Sequence, residues 1–440
     1  MAPPNNRRSL FQRNRGKLML AVMGTAALFT TGSIIMYLVK QWLYRQHQRL
    51  SEERFAREQI RRRFIQTQED SLRTVSQLTP VLAIVLNNDG LDIDTLFGEL
   101  KNKKNKKGET SQTTEDRGEG TERSKTKAEL WDELKVNSLV KLVTILYTVS
   151  SLFMLTRLQL NMLARREYLE TAINMDKGKK SDEKSSHGIL AYIGSWWSQG
   201  SPEESPTNDN NPISMKSDKT TYTNEQAFLS LSWWLLNEGY KKYSEMARKY
   251  VLQEFASINP TDKLSVLEFS ERLSAAFQGI NRSLLVTGQD NTSLQDILLP
   301  GEENLYFVLQ QSLDTDALLI LQEDDIVLRR LVHETSQYLQ STASTVVIER
   351  LLNKSYQYSM NSIDSAIQSK RANNDRVNDA TNLEAASHQM ALFAVVVKDT
   401  CRELVSSSPA NSLGNEFLRT LDCTEEMNDL SSSVYSNFNI

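Results

Sequence analysis

Histidine, cysteine and clustered carboxylates are the side chains most able to do chemistry, and in this chain their spacing argues against it. Four histidines, His47, His187, His333 and His388, stand far apart, and none falls into an HExxH or other metal-ligand spacing. Cys401 follows the apolar run Ala391 to Val397, which suits a buried small side chain. Cys423 lies among acidic residues, which disfavour a thiolate. Gly118-Glu-Gly120 sits in a charged stretch rather than after a strand, so it offers no phosphate cradle, and no G-x-S-x-G elbow occurs. The groups Glu323-Asp-Asp325 and Glu425-Glu426 have no evident partners in sequence. The reading is of a chain that is not an enzyme and calls for no cofactor or metal.

Recognition chemistry is better represented. Six tryptophans matter because aromatic side chains anchor interfaces. Trp131 stands where a charged stretch gives way to an apolar-periodic one, beside Lys127, Glu129, Asp132 and Glu133. A tryptophan there is either a staple against a helical body or an exposed anchor for a partner, and spacing alone favours neither. Trp233-Trp234, within Phe228 to Leu236, reads as core, with at least one ring packed inside.

The elements that must position these residues read as helices. From Leu18 to Val39 run 22 residues without a charge. At about 1.5 Å per residue they reach roughly 33 Å, enough to cross the hydrocarbon core. Tyr37 and Trp42 lie at one end, where amphipathic rings favour the interface. This is read as an anchor over residues 18–39, preceded by a basic segment, 1–17, and followed by a helical domain, 40–440. Five basic residues precede the anchor and five follow closely, so the positive-inside rule nearly ties. The bulk of the chain follows the anchor without a signal peptide, which predicts a cytosolic C-terminal domain.

Phe55, Ile60, Phe64, Leu72, Val75 and Leu78 keep helical spacing and predict a first helix stopping near Pro80. Its Arg61-Arg62-Arg63 cluster suits either anionic headgroups or a solvated face. Asn88-Asp89-Gly90 signals a turn. Residues 101–127 contain no apolar side chain, with nine basic and five acidic ones, and predict a mobile loop. Residues 174–222, with Pro202, Pro206 and Pro212, predict a second, containing an apolar island, Ile189 to Trp197. Leu142 to Thr156 is charge-free over 15 residues, short of a span and suited to a helix buried inside a bundle. Further helices are expected over 224–237, 238–255 with a break near Gly239, 314–321, 324–341, 343–368, 383–406 and 414–420. Ser265-x-x-Glu268 reads as a capping box.

Composition agrees with an all-α fold, an elongated helical bundle on a single N-terminal transmembrane helix. Only nine prolines punctuate 440 residues, with none between Pro80 and Pro202 or between Pro300 and Pro409. Two cysteines exclude a disulfide scaffold. With 51 basic against 55 acidic residues, the net charge of −4 argues against a nucleic-acid partner.

Several segments stand out together: Arg13-Asn-Arg-Gly-Lys17 with the following Ala26-Ala-Leu-Phe-Thr-Thr-Gly-Ser33, then Gln66-Thr-Gln-Glu-Asp-Ser71 and Lys127-Ala-Glu-Leu-Trp-Asp-Glu-Leu134. Tyr147-Thr-Val-Ser-Ser151, Leu155-Thr-Arg-Leu-Gln-Leu-Asn161 and Asn224 to Trp234 follow in order. In that order and spacing they resemble the peroxin three family, the fungal peroxisomal membrane biogenesis factors. The resemblance implies an all-α cytosolic domain anchored in the peroxisomal membrane. It further implies docking of peroxin nineteen, the soluble receptor for new peroxisomal membrane proteins, whose amphipathic helix would enter an apolar groove. On that reading Trp131 and Lys127 match the family's partner-binding residues, Leu100 matches a leucine of the preceding helix, and Leu130 and Leu134 accompany them. Arg13, Arg15 and Lys17 match its targeting segment. Fungal members also recruit inheritance and selective-autophagy factors, to which no residue is assigned. The rival reading is a general organelle tether or structural adaptor.

Overall fold

The computed structural model describes residues 36–37, 40–42, 54, 57–109, 125–176, 212–286, 293–374, 387–406 and 415–437. Contacts divide the chain into two compact units, Met1–Ile65 and Gln66–Ile440. In the first, every described residue is helical, and Met36, Tyr37 and Trp42 are exposed. The rest of the predicted anchor, together with Arg13, Arg15 and Lys17, lies outside the described residues.

The second unit is helical almost throughout. Helix α1 covers 57–88, with 66–88 in this unit, and passes through Pro80, where the sequence predicts a stop. The apolar stripe explains this, because Leu72, Val75 and Leu78 continue on one face with Leu82 and Leu86, all buried in the core. Their burial outweighs the roughly 3 kcal/mol that an interior proline costs. The helix ends at the predicted turn. Gly90 takes a left-handed φ of 82°, and the Leu91 amide donates to Leu86 O at 3.1 Å, closing a Schellman motif.

Helix α2, Ile93–Glu109, corrects the first predicted loop, since 101–109 extend this helix. Residues 110–124 lie outside the description. Helix α3, Lys127–Asp176, runs for 50 residues. It alone among described helices is long and apolar enough to cross a membrane, yet that window is wholly buried inside the protein. The Leu142 to Thr156 segment is thus a core helix, as its length predicted. Several polar side chains of α3 find protein partners, although the buried Thr148 and Thr156 hydroxyls do not. Ser150 Oγ meets Ser355 Oγ and Ser151 Oγ meets Tyr243 Oη, both at 2.7 Å, and Gln159 Nε2 donates to Phe228 O at 2.7 Å.

Helix α4, Pro212–Ser230, corrects the second loop, whose last residues are helical; the island 189–197 lies outside the described residues. A turn at Ser232–Trp234 and a π-helical turn at Leu235–Gly239 lead into α5, Tyr240–Phe255. The irregularity falls at Gly239, where a β-carbon would come within 2.1 Å of Ile297 O, so only glycine permits this approach. Helix α6, Val266–Asn281, opens on the predicted capping box, with reciprocal bonds between Ser265 and Glu268. There follow α7, Leu294–Leu298, α8, Glu302–Ser312, and α9, Thr315–Glu323. Next come α10, Ile326–Gln340, α11, Thr342–Asn374, and α12, Met390–Val405. The chain closes with α13, Glu416–Asp422, and α14, Glu425–Ser436. Sequence reading missed α7, α8 and α14. A two-residue antiparallel bridge, Lys263–Leu264 with His388–Gln389, is the only sheet among the described residues.

Helix α3 is the packing partner for α2, α5, α11, α12 and α14. Arg157, fully buried on it, stacks over Phe153 at 4.9 Å and bonds to Asn428 at 3.0 Å and to Asp422. Burial lowers its pKa to about 10, so the guanidinium still carries its charge at neutral pH. Arg165 holds Glu334 at 2.8 Å and also donates to Val434 O. One helix thus fixes both ends of the C-terminal pair. Glu426, without an evident partner in sequence, pairs with Arg350 at 3.0 Å.

Candidate partner-docking site

The head of α3 is built by local chemistry. Thr126 Oγ1 accepts from the Glu129 amide at 3.3 Å, and Glu129 Oε2 accepts from the Thr126 amide at 2.7 Å. This reciprocal cap starts the helix directly before Trp131. Leu130 and Leu134 then fall one turn apart on the inner face, and both are fully buried. Leu100, on α2, is buried in the same core. Trp131 is half-buried and packs against that core, while Lys127 is exposed. The ring thus acts as a staple on one side and offers surface on the other.

Structure brings all five predicted residues, Leu100, Lys127, Leu130, Trp131 and Leu134, to the region where α2 meets the start of α3. The three leucines are floor rather than surface. Sequence reasoning missed the residues that extend the surface. Leu96, Phe97 and Val136 are half-buried against the same core. Phe97 lies between two lysines, with Lys101 Nζ at 4.7 Å and Lys398 Nζ at 5.2 Å from its ring centre. Such cation–π contacts hold an apolar ring in place while leaving charge at its edge. Phe97 lies three residues before Leu100, a helical neighbour that spacing could have flagged. Lys398, about three hundred residues away, carries no such signal.

Charges set this surface firmly. Lys125 pairs with Glu133 at 2.6 Å, and that hydrogen bond raises the Lys125 pKa. Lys103 donates to Lys125 O and ties the end of α2 to the approach of α3. Lys398 bonds Asp399 at 2.9 Å, and Asp94 takes Arg402 at 2.6 Å. Burial works to raise the Asp399 carboxyl, but hydrogen bonds and charge from Lys398 and Lys370 outweigh it and hold it low. Deeper in, Lys141 caps the end of α1 through Asn87 Oδ1 at 2.5 Å and Leu91 O at 2.9 Å, and burial lowers its pKa.

The residues first considered for chemistry stay apart. Among the described residues no group of three metal-ligating side chains comes together. His333 is exposed beside Gln337, and His388 sits in the small bridge, whereas His47 and His187 lie outside the described residues. Cys401 is buried, as its apolar neighbours predicted, and burial pushes its thiol up to about 12. Cys423 is exposed.

The described residues thus make an all-α body that leaves Trp131 half-buried and Lys127 exposed at the head of α3. The comparisons give the family. The model of the Peroxin-3 family matches residues 9–122 and 109–437, and the chain belongs to that family. Peroxisomal biogenesis factor 3 of Saccharomyces cerevisiae is 42% identical over 449 residues, covering 100% of this chain and 98% of its own. The protein of the same name from Kluyveromyces lactis is 37% identical, with 98% and 99% covered. At greater distance, Peroxisomal membrane protein PEX3 of Komagataella phaffii is 28% identical, with 98% of each chain covered. Membership places the chain among peroxisome biogenesis factors, a family that is not one of enzymes.

Proposed function

We propose that the chain is a membrane-anchored docking receptor in peroxisome biogenesis. It recruits peroxin nineteen, with its membrane-protein cargo, by taking an amphipathic helix of that receptor into an apolar groove. The observation that carries this reading is the head of α3. There a half-buried Trp131 stands over a leucine floor, with exposed Lys127 one turn away. An apolar anchor with a charged rim is what a helix-in-groove partner needs. Residues 18–39 would hold the chain in the peroxisomal membrane as a single pass, with Arg13, Arg15 and Lys17 serving targeting and the bulk facing the cytosol. Names of relatives such as Peroxisomal membrane protein PEX3 support that location.

The test is titration of the full-length chain with a peptide from the N-terminus of peroxin nineteen. Trp131→Ala is expected to lose about 2 kcal/mol or more of binding free energy. Lys127→Glu is expected to lose less and to change the salt dependence. Undiminished affinity in Trp131→Ala would remove this surface from the docking site.

A further inference from the structure

A second apolar surface lies on elements that take no part in the α2–α3 site. Tyr306 and Phe307 on α8 are 47% and 46% exposed, and Leu319 on α9 is 61% exposed. They are neighbours in space. The Phe307 ring meets the half-buried Trp233 edge-on at 6.0 Å. Gln322 Nε2 donates to Tyr306 Oη at 3.0 Å, and Leu319 lies three residues before Gln322, on the same face of α9. Large apolar groups gathered at one place on a soluble surface mark an interaction site.

Charge identifies what would cover it. Residues 301–326 hold seven acidic side chains and no lysine or arginine, so this stretch alone exceeds the chain's net charge of −4. Some of these carboxylates serve the fold. Asp314 caps α9 by accepting from the Ala317 amide, and Asp325 pairs with Arg329. Glu302, Glu303 and Asp316 are exposed and make no ion pair among the described residues. They stand in the first turns of the two helices that carry the apolar groups, where the helix dipole favours negative charge. An acidic rim round an apolar strip suits a partner of opposite pattern.

From this juxtaposition we infer that the α8–α9 face is a second docking surface, for an amphipathic helix of a partner protein with basic residues flanking an apolar face. Apolar anchors at i, i+3, i+4 and i+7 would cover Trp233, Tyr306, Phe307 and Leu319, and the lysines or arginines would meet Glu302, Glu303 and Asp316. The rim would speed association and set register, while the strip would supply the affinity.

The experiment uses the full-length chain in phosphatidylcholine nanodiscs. The probe is a labelled helical peptide of about 18 residues, with Leu and Trp on one face and Lys and Arg on the other, long enough for several apolar anchors. Binding is read by fluorescence anisotropy against empty nanodiscs. Leu319→Glu and the pair Glu302→Lys/Glu303→Lys are each expected to weaken binding on the order of tenfold with unchanged helical circular dichroism. Rising salt should weaken the wild type more than the charge-reversed pair. Trp131→Ala should bind the probe as wild type does, which separates this face from the α2–α3 site. Equal affinity in Leu319→Glu would overturn the inference, as would equal binding of a probe whose basic residues are replaced by glutamate. Self-association abolished by Leu319→Glu would assign the face to a second copy instead. Binding only after removal of 177–211 would assign it to the chain's own segment.

Discussion

Leu130 and Trp131 are adjacent in sequence and do different work. Leu130 is fully buried, so truncating it leaves a cavity in the core; Trp131 is half-buried, so truncating it removes exposed ring as well. Leu130→Ala should therefore destabilise the fold by about 2–5 kcal/mol, seen as a lower urea midpoint. Trp131→Ala should cost the fold less and act chiefly on partner binding. A loss of stability in Trp131→Ala equal to that in Leu130→Ala would contradict this division. The sequence marked both residues but could not assign them, because a helix start with charges on both sides is compatible with either face. It read the caps well. Ser265 with Glu268 and the Gly90 turn depend on neighbours within a few residues, and both formed where spacing put them. Phe97 and Lys398 meet only through the packing of α2 near α12, and nothing local announces that contact.

Among the elements, tertiary burial overrides local punctuation. Helix α1 continues through Pro80 because its stripe stays buried, and α4 begins at Pro212 inside what composition marked as loop. Proline at a helix start costs little, since its missing amide has no partner there anyway. Helix α14 is held by α3, and Asp422 just before it forms the partner of buried Arg157. Asp422→Ala should leave that guanidinium without its anion. Asp422 is itself partly solvated, so the loss should fall below the roughly 3–5 kcal/mol typical of a broken, fully buried pair. Hydrogen exchange should quicken in α13 and α14 first, and uniform loss of protection would argue against a local clamp. Helix α4 carries a second test. Burial raises Glu225 from 4.5 to about 7, with Arg166 working against the shift. The folded state therefore binds the proton more tightly than the unfolded chain. Its stabilising contribution is complete below pH 4.5 and is lost as pH rises through 7. Glu225→Gln should flatten the fall in stability over that window, measured by urea unfolding at a series of pH values.

At the scale of the whole molecule, the class was legible and the extent of order was not. Low proline, helical periodicity and missing strand alternation led to an all-α fold, and the structure is all-α. The charged stretch 101–127 was read as a loop because no side chain there can enter a core, yet 101–109 extend α2. A helix already nucleated by buried Ile93 and Leu100 propagates cheaply into lysines and asparagines. The division after Ile65 gives a prediction for the entire chain. Removing residues 1–65 should leave a protein with the same helical circular dichroism per described helix and the same unfolding temperature. A fall in that temperature would show that the larger unit draws stability from the smaller.

Helix α3 has a consequence for how the chain is made. Its apolar run is flanked by Lys141 and Arg157, and the partners of Arg157, Asp422 and Asn428, follow it by 265 and 271 residues. Until α5, α11 and α12 are also made, that charge-free run lacks helices that bury it in the folded protein. An arginine bounding such a stretch limits how far the run can slide into a bilayer, because a guanidinium at the bilayer centre costs about 2.5–3.5 kcal/mol. The same guanidinium that later fastens the C-terminal helices thus biases the nascent helix toward remaining in water, so that α3 reaches the interior of its own fold rather than the lipid.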